Sequence, residues 1–289
     1  MDQWLDYLKK RFFPFSTFLT IIGYALTPLI LNRQPFAPFP FVVSCLLLFY
    51  LAFLLRLDND VKDFNTDCIA FPQRPLPRGD IQKGEAQQTL AYLKYGVIFY
   101  FVAIFLFFSQ TTRLLLIVTG CYLWLILRDF FGAKWMTRYL LVKGMLQQGF
   151  IIPLTLLIVS IGRPELVFSS QGWSYALLLF GAFSTFEICR KLDPYSHPAA
   201  LYYVHYYGFT VTYWVAVLSL VISAIGAWGL GVPLILWPFE AGVFLFLTLL
   251  FLNPTYSGKV KIAAAVSLIV HAWAGIGQDA AALVWRSPF

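Results

Sequence analysis

Between Arg56 and Gly79 the chain reads RLDNDVKDFNTDCIAFPQRPLPRG, an acidic cluster at the end of an apolar run. If the run is helical and continues through the cluster, Asp60, Asp63 and Asp67 fall within about 60° of one another, because each residue advances about 100°. Arg56 shares that arc and Asn59 lies beside it. Carboxylates this close repel unless a cation sits among them. A stripe of oxygen-only ligands suits Mg²⁺, which takes a few carboxylates and completes its shell with water and substrate phosphates. Arg74 and Arg78 follow in a proline-stiffened loop. Acids for a metal beside arginines for phosphate make a diphosphate-binding arrangement. On spacing alone a solvated helix end reads equally well.

The elements that must hold these residues are membrane spans. Hydrophobic residues make up 60% of the 289 and charged residues 12%, so stretches of about 20 apolar residues recur along the whole length. Nine candidate spans emerge, at about 13–32, 37–56, 89–108, 113–129, 140–162, 171–190, 204–227, 231–252 and 260–284, and residues 1–289 read as a single all-α membrane domain. With the N-terminus inside and sides alternating, all of the 21 Lys and Arg except Arg33, Arg113, Arg163 and Arg286 fall inside. That asymmetry puts the N-terminus and the acidic cluster on the cytoplasmic face and the C-terminus outside. It also accounts for the net charge of +7 without nucleic acid as a partner. The start, MDQWLDYLKKRFF, runs directly into the first span and does not look like a cleavable signal. It reads as a short interfacial helix with Trp4, Leu5 and Leu8 on one side. Cys45, Cys68, Cys121 and Cys189 have no paired spacing, and three histidines are too scattered for a metal cluster.

The segment resembles the first aspartate-rich motif of the UbiA superfamily of intramembrane prenyltransferases. The matching residues are Asn59, Asp60, Asp63 and Asp67, followed by Arg74-Pro75-Leu76-Pro77-Arg78-Gly79. The nine-span pattern, with the motif at the cytoplasmic end of the second span, extends the resemblance over the whole chain. It implies a helical bundle around a cavity open to the cytoplasmic side. It also implies an isoprenyl diphosphate bound through Mg²⁺ held by Asn59, Asp60, Asp63 and Asp67, which are then the catalytic and metal-binding set. Arg56, Arg74 and Arg78 would bind the substrate.

The family carries a second aspartate-rich motif after its sixth helix. Here that place reads FSTFEICRKLDPYSHP. Glu187, Arg190 and Lys191 share a helical face, and Asp193 precedes Pro194 at or past the helix end. The expectation is that Arg190 or Lys191 carries charge a second metal would otherwise carry, and that Glu187, Arg190, Lys191 and Asp193 join the substrate site. An ordinary basic helix end with a Glu187–Lys191 pair is the plainer reading. Asp129 could hold Arg128 or Lys134 at the same mouth, or simply cap its helix. Glu240 and His271 fall at matching depths, about 13–14 Å from the outer surface, and are expected to pair. Gln147, Gln148 and Asp279 are further polar residues inside spans. Tyr195, Tyr202, Tyr203, Tyr206 and Tyr207 crowd the region after the second motif, where aromatic faces could steady a carbocation.

These residues favour transfer of a prenyl group from its diphosphate to a lipophilic, preferably aromatic, acceptor, with Mg²⁺ as cofactor and the bilayer as environment. A terpene cyclase of the same fold would ionise the same donor and quench the cation internally. A transporter or silent scaffold is the reading from another class, but transport does not require the acid stripe with its Arg-Pro-x-Pro-x-Gly loop.

Overall fold

A computed structural model describes residues 2–12, 15–31, 35–132, 138–200 and 202–278. Its longer elements in chain order are α1 (Asp2–Tyr7), continued by a π-helical turn over Leu8–Phe12, α2 (Phe15–Ile30), α3 (Pro38–Lys62), α4 (Phe64–Ala70), α5 (Pro75–Arg78), α6 (Lys83–Phe107) and α7 (Gln110–Leu127). They continue with α8 (Leu140–Gly149), α9 (Ile151–Gly162), α10 (Ser170–Arg190), α11 (Tyr203–Gly229), α12 (Pro233–Leu252) and α13 (Ser257–Ala272).

Within the described residues helix runs through each of the nine expected intervals, but not all nine pass as spans by length and composition. Among the described residues seven helices are long and apolar enough to cross a membrane, α8 and α9 counting as one. The number becomes eight if the N-terminal helix and α2, which meet at a 69° bend, form one span. The last expected span reaches past residue 278, so Asp279 lies outside the described residues, as does Lys134.

The second span overshoots the bilayer. α3 has 25 residues and starts with Pro38 in its first turn, where a missing N–H costs nothing. At 1.5 Å per residue it is about 37 Å long against a hydrocarbon core of about 30 Å. The excess carries Asp58, Asn59 and Asp60 beyond the apolar layer. The helix breaks at Asp63, which caps both α3 and α4. The i to i−4 pattern nevertheless continues, with Asp63 N–H to Asn59 O at 2.9 Å and Asp67 N–H to Asp63 O at 2.8 Å. The acidic stripe therefore survives the break.

α10 is the most enclosed span, with 61% of its apolar window buried. It lies against α11 with backbones almost touching. A Cβ on Gly181 would strike the Ser223 backbone, and one on Gly226 would strike Leu178. Small residues drive such contacts in lipid, where apolar side chains gain nothing by leaving the tails. The lipid-facing helix α6 buries only 17% of its window. α10 thus forms the axis that presents Glu187 and Arg190 at its end.

Candidate functional site: a charged cavity at the ends of α3 and α10

One cavity gathers most of the expected residues. It has a volume of about 130 Å³, roughly ten times what one water needs. Its walls include Arg56, Asn59, Asp60, Asp63, Asp67 and Arg74 from the first motif, and Glu187, Arg190 and Lys191 from the second. Arg78 and Asp193 do not line it. Arg78 is exposed and bonded to Asp80 instead, for the loop that carries it turns away at Gly79, whose φ is +87°. Asp193 is drawn off by Lys261 of α13, at 2.5 Å.

The acids differ in how they are held. Asp67 is buried and takes Nη1 of Arg74 on both oxygens at 2.7 Å, while the guanidinium lies 3.6 Å above the Phe71 ring. Asp60 is buried too, and is bonded to Tyr7 at 2.9 Å and to Arg11 at 2.6 Å. Asp63, in contrast, has no ion pair and no side-chain hydrogen bond among the described residues. Its side chain is exposed toward the cavity mouth, yet the walls strip away much of its water. That desolvation pushes its carboxyl above the ordinary aspartate range, with Lys143 opposing and Asp67 reinforcing the shift. Asn59 is likewise exposed, one turn before it.

Across the cavity Glu187 accepts from Arg190 at 2.7 Å and pairs with Lys191 at 2.8 Å. The plain pairing and the cavity wall are therefore both real. Lys191 lies just past the span. Burial pulls its ammonium down, but Glu187 more than reverses this, holding it above the ordinary lysine range. Its Nζ also stands 4.9 Å from the centre of the Tyr203 ring. Tyr203 reaches this place because position 144 is glycine; a Cβ there would strike its hydroxyl.

Among the lining residues that escaped the sequence reading are Arg11 and Lys143, and Gln147 was noted only as a polar group inside a span. Arg11 and Lys143 looked like the ordinary basic flanks of spans. Of the five tyrosines only Tyr202 and Tyr203 reach the cavity, whereas Tyr195 and Tyr206 are largely exposed. Asp129 holds neither expected partner within the described residues. It pairs with Lys62 at 3.2 Å and approaches Lys143 at 4.0 Å. Asp129, Phe130 and Phe131 all have positive φ, a tight turn that aims this carboxylate back at α3.

The cavity holds six cations, namely Arg11, Arg56, Arg74, Lys143, Arg190 and Lys191, against four carboxylates. That excess suits a polyanion. As the side chains stand, no three acidic, histidine or cysteine residues among those described are close enough to cage a metal. Mg²⁺ does not need such a cage, because it takes one or two carboxylates plus phosphate oxygens and water. Asn59 and the unpaired Asp63 offer oxygens of that kind at the mouth, with Asp67 beside them, so these residues fit the ion. The Glu240–His271 pair is present as expected, Nε2 to Oε1 at 3.0 Å, buried far from the cavity between α12 and α13.

No family profile and no curated protein sequence matches the chain. Two solved structures do match its fold. An apo UbiA homolog from Aeropyrum pernix K1 superposes with a TM-score of 0.60 at 15% identity, over 93% of this chain and 99% of that one. A structure of digeranylgeranylglyceryl phosphate synthase superposes with a TM-score of 0.54 at 18% identity, over 95% of this chain and all of that one. The resemblance to the UbiA superfamily is therefore one of fold along nearly the whole chain, and the cavity described here sits within that shared fold.

Proposed function

We propose that the protein ionises an isoprenyl diphosphate in this cavity and transfers the prenyl group to a lipophilic acceptor, aromatic or otherwise. The observation that carries this reading is the cavity's six cations set around one unpaired carboxylate at the end of apolar helices. A diphosphate would lie among Arg74, Arg190 and Lys191, with its prenyl chain directed into the bundle. The allylic C–O bond breaks heterolytically and both electrons leave with diphosphate. The cations stabilise the charge that develops on the leaving oxygen, which is where fixed charge lowers a barrier most. The prenyl cation is attacked by an electron-rich atom of the acceptor, which then loses a proton. Tyr202, whose ring lies 6.5 Å from the Arg74-covered ring of Phe71, offers an aromatic ring at the cavity wall; a ring face over a cation is worth about 0.5–2 kcal/mol. Mg²⁺, held by Asn59 and Asp63, would supply further neutralisation of the diphosphate. One structural neighbour is a synthase of a prenylated glyceryl phosphate, so acceptors other than aromatic rings belong in the test.

The test is incubation of the purified protein with isoprenyl diphosphates of several lengths and Mg²⁺, with and without aromatic and glyceryl acceptors. The expected outcome is diphosphate release that depends on an acceptor. A hydrocarbon or alcohol formed without acceptor would mean a cyclase instead, and no release with any donor would end both readings. The proposed orientation puts the cavity on the cytoplasmic face. On intact cells a membrane-impermeant thiol reagent should reach cysteines introduced near Arg163 and miss those introduced near Arg78 and Pro194.

A further inference from the structure

Asp60 stands where the resemblance implies a metal ligand, but its surroundings are those of a different device. It is 6% exposed, and both of its oxygens are engaged. Oδ1 accepts from Nη2 of Arg11 at 2.6 Å and lies 3.5 Å from Nε of Arg56. Oδ2 accepts from Nε of Arg11 at 3.1 Å and from the hydroxyl of Tyr7 at 2.9 Å. The Arg11 contact is the bidentate fork, the form of carboxylate pairing with the most defined geometry. The Nε of Arg56 is buried without a hydrogen bond among the described residues. Both arginines also line the cavity.

The N-terminal segment is seated for this purpose. Tyr7 is fully buried, and Trp4 donates to Glu85 of α6 at 2.6 Å. α1 and its continuation are thus docked on the bundle and are not merely an interfacial float. To ligate a metal, Asp60 would have to leave Arg11 and Tyr7. Two enclosed guanidiniums would then face a dication with their counter-charge withdrawn, and stripping a partner from a buried ion pair is costly. Asn59 and Asp63 carry no such burden.

We infer that Asp60 is a positioning residue that holds Arg11 and Arg56 on the donor diphosphate, and that it is not a ligand of the metal. Arg11, from the N-terminal segment, is then a diphosphate-binding residue. This inference rests on the proposed function and adds a division of labour within the first motif: Asp60 serves the anion through two arginines, Asp67 is held by Arg74 in the same way, and Asn59 and Asp63 serve the metal.

The sign of one effect separates the roles. Removing a negative charge beside an anion site should, by charge alone, leave metal-free binding of an anion unchanged or tighten it. If Asp60 positions Arg11, its loss weakens that binding. The experiment is calorimetric titration of inorganic diphosphate into detergent-purified protein without metal, for the parent, Arg11→Ala, Arg11→Lys, Asp60→Asn and the double variant Arg11→Ala with Asp60→Asn. The Mg²⁺ concentration for half-maximal turnover is measured alongside. Each single variant that removes the pair should bind diphosphate about tenfold more weakly or worse, as expected for loss of a charge-assisted contact. The double variant should be no worse than either single, because the two residues act as one unit, and Arg11→Lys should retain part of the affinity. The Mg²⁺ requirement of Asp60→Asn and Arg11→Lys should stay within about twofold of the parent. Unchanged or tighter metal-free binding in Asp60→Asn with a raised Mg²⁺ requirement would overturn the inference and return Asp60 to the metal, and additive losses would overturn it as well. If Asp60→Asn does not fold, Arg11→Ala and Arg11→Lys decide: parental diphosphate affinity in both ends the proposal. A parent that binds diphosphate neither with nor without Mg²⁺ would remove the proposed function itself, whereas one that binds it only with Mg²⁺ would overturn this inference alone.

Discussion

The two motif regions neutralise their acids differently. In the second, Glu187 is satisfied by its own helix, through Arg190 three residues on and Lys191 four residues on. In the first, Asp67 finds Arg74 seven residues on and Asp58 finds Lys62 four residues on, but Asp60, 3.5 Å from Arg56, makes its hydrogen-bonded pair with Arg11 from 49 residues away. One acid, Asp63, is left without a partner among the described residues. Local pairing makes the second region a rigid cationic wall, since one carboxylate serves two cations and charge is left over for a ligand. Long-range pairing makes the first region an assembly whose free carboxylate depends on other elements occupying its neighbours. The lesson is that, if the motif takes a metal as proposed, the acid free to meet it is the one the fold leaves unpaired, and acid spacing by itself does not say which one that is.

The comparison breaks most decisively at Asp63. Asp63→Ala should lower turnover by about 10²–10³-fold, the usual cost of removing one preorganised electrostatic group from a reaction centre. Its exposed position means the variant should elute as the parent does on size exclusion. A rate within a few-fold of the parent would show that the free carboxylate does not matter.

In the second region Lys191→Ala should weaken donor affinity by about tenfold, because an enclosed charge-assisted contact is lost. Arg190→Ala should cost less, since the Arg190 side chain is 37% exposed against 21% for Lys191. Donor binding by titration checks both, and equal affinities in parent and variants would reduce this wall to a topology signal.

The Glu240–His271 pair is a control that lies outside both motifs. Glu240→Ala should destabilise the protein by about 1–2 kcal/mol, in the range of polar contacts between helices in lipid. Turnover per folded molecule should not change. A thermal melt in detergent paired with an activity assay measures this, and lost turnover at parental stability would give the pair a catalytic part.

The smallest effect should come from Arg78→Ala. The side chain is 46% exposed and held by Asp80 and, at 3.6 Å, by Asp6. Exposed ion pairs contribute little, so donor affinity should change by less than about threefold. A tenfold loss would mean that the Pro75–Gly79 loop swings into the cavity when donor binds.

Reading from sequence succeeded where the physical relation is local. The apolar runs, the acid stripe and the Glu187–Lys191 pair are set by helix pitch and by a bilayer that demands about twenty apolar residues per crossing. Even Glu240 and His271, 31 residues apart, were predictable as partners, since a span fixes depth and an ionisable group at that depth needs company. Arg78 and Asp193 were placed in the site through the two motifs, but Arg78 is bonded to Asp80 and Asp193 to Lys261, and neither lines the cavity.

What the sequence alone determined, then, is the membrane class, the places where helices run, and the end of the bundle where charge collects, all of which follow from hydropathy and periodicity. What only the tertiary structure decided is the ownership of the charges: Arg11 on Asp60, Arg74 on Asp67, Lys62 shared between Asp58 and Asp129, and none of the described residues on Asp63. Ion pairs form between whichever side chains packing brings within about 4 Å, and in a helical bundle that depends on which helices are neighbours and how they are rotated. Neither quantity is periodic in the chain, so a basic residue that flanks a span, such as Arg11 or Lys143, looks the same in sequence whether it faces water or the cavity.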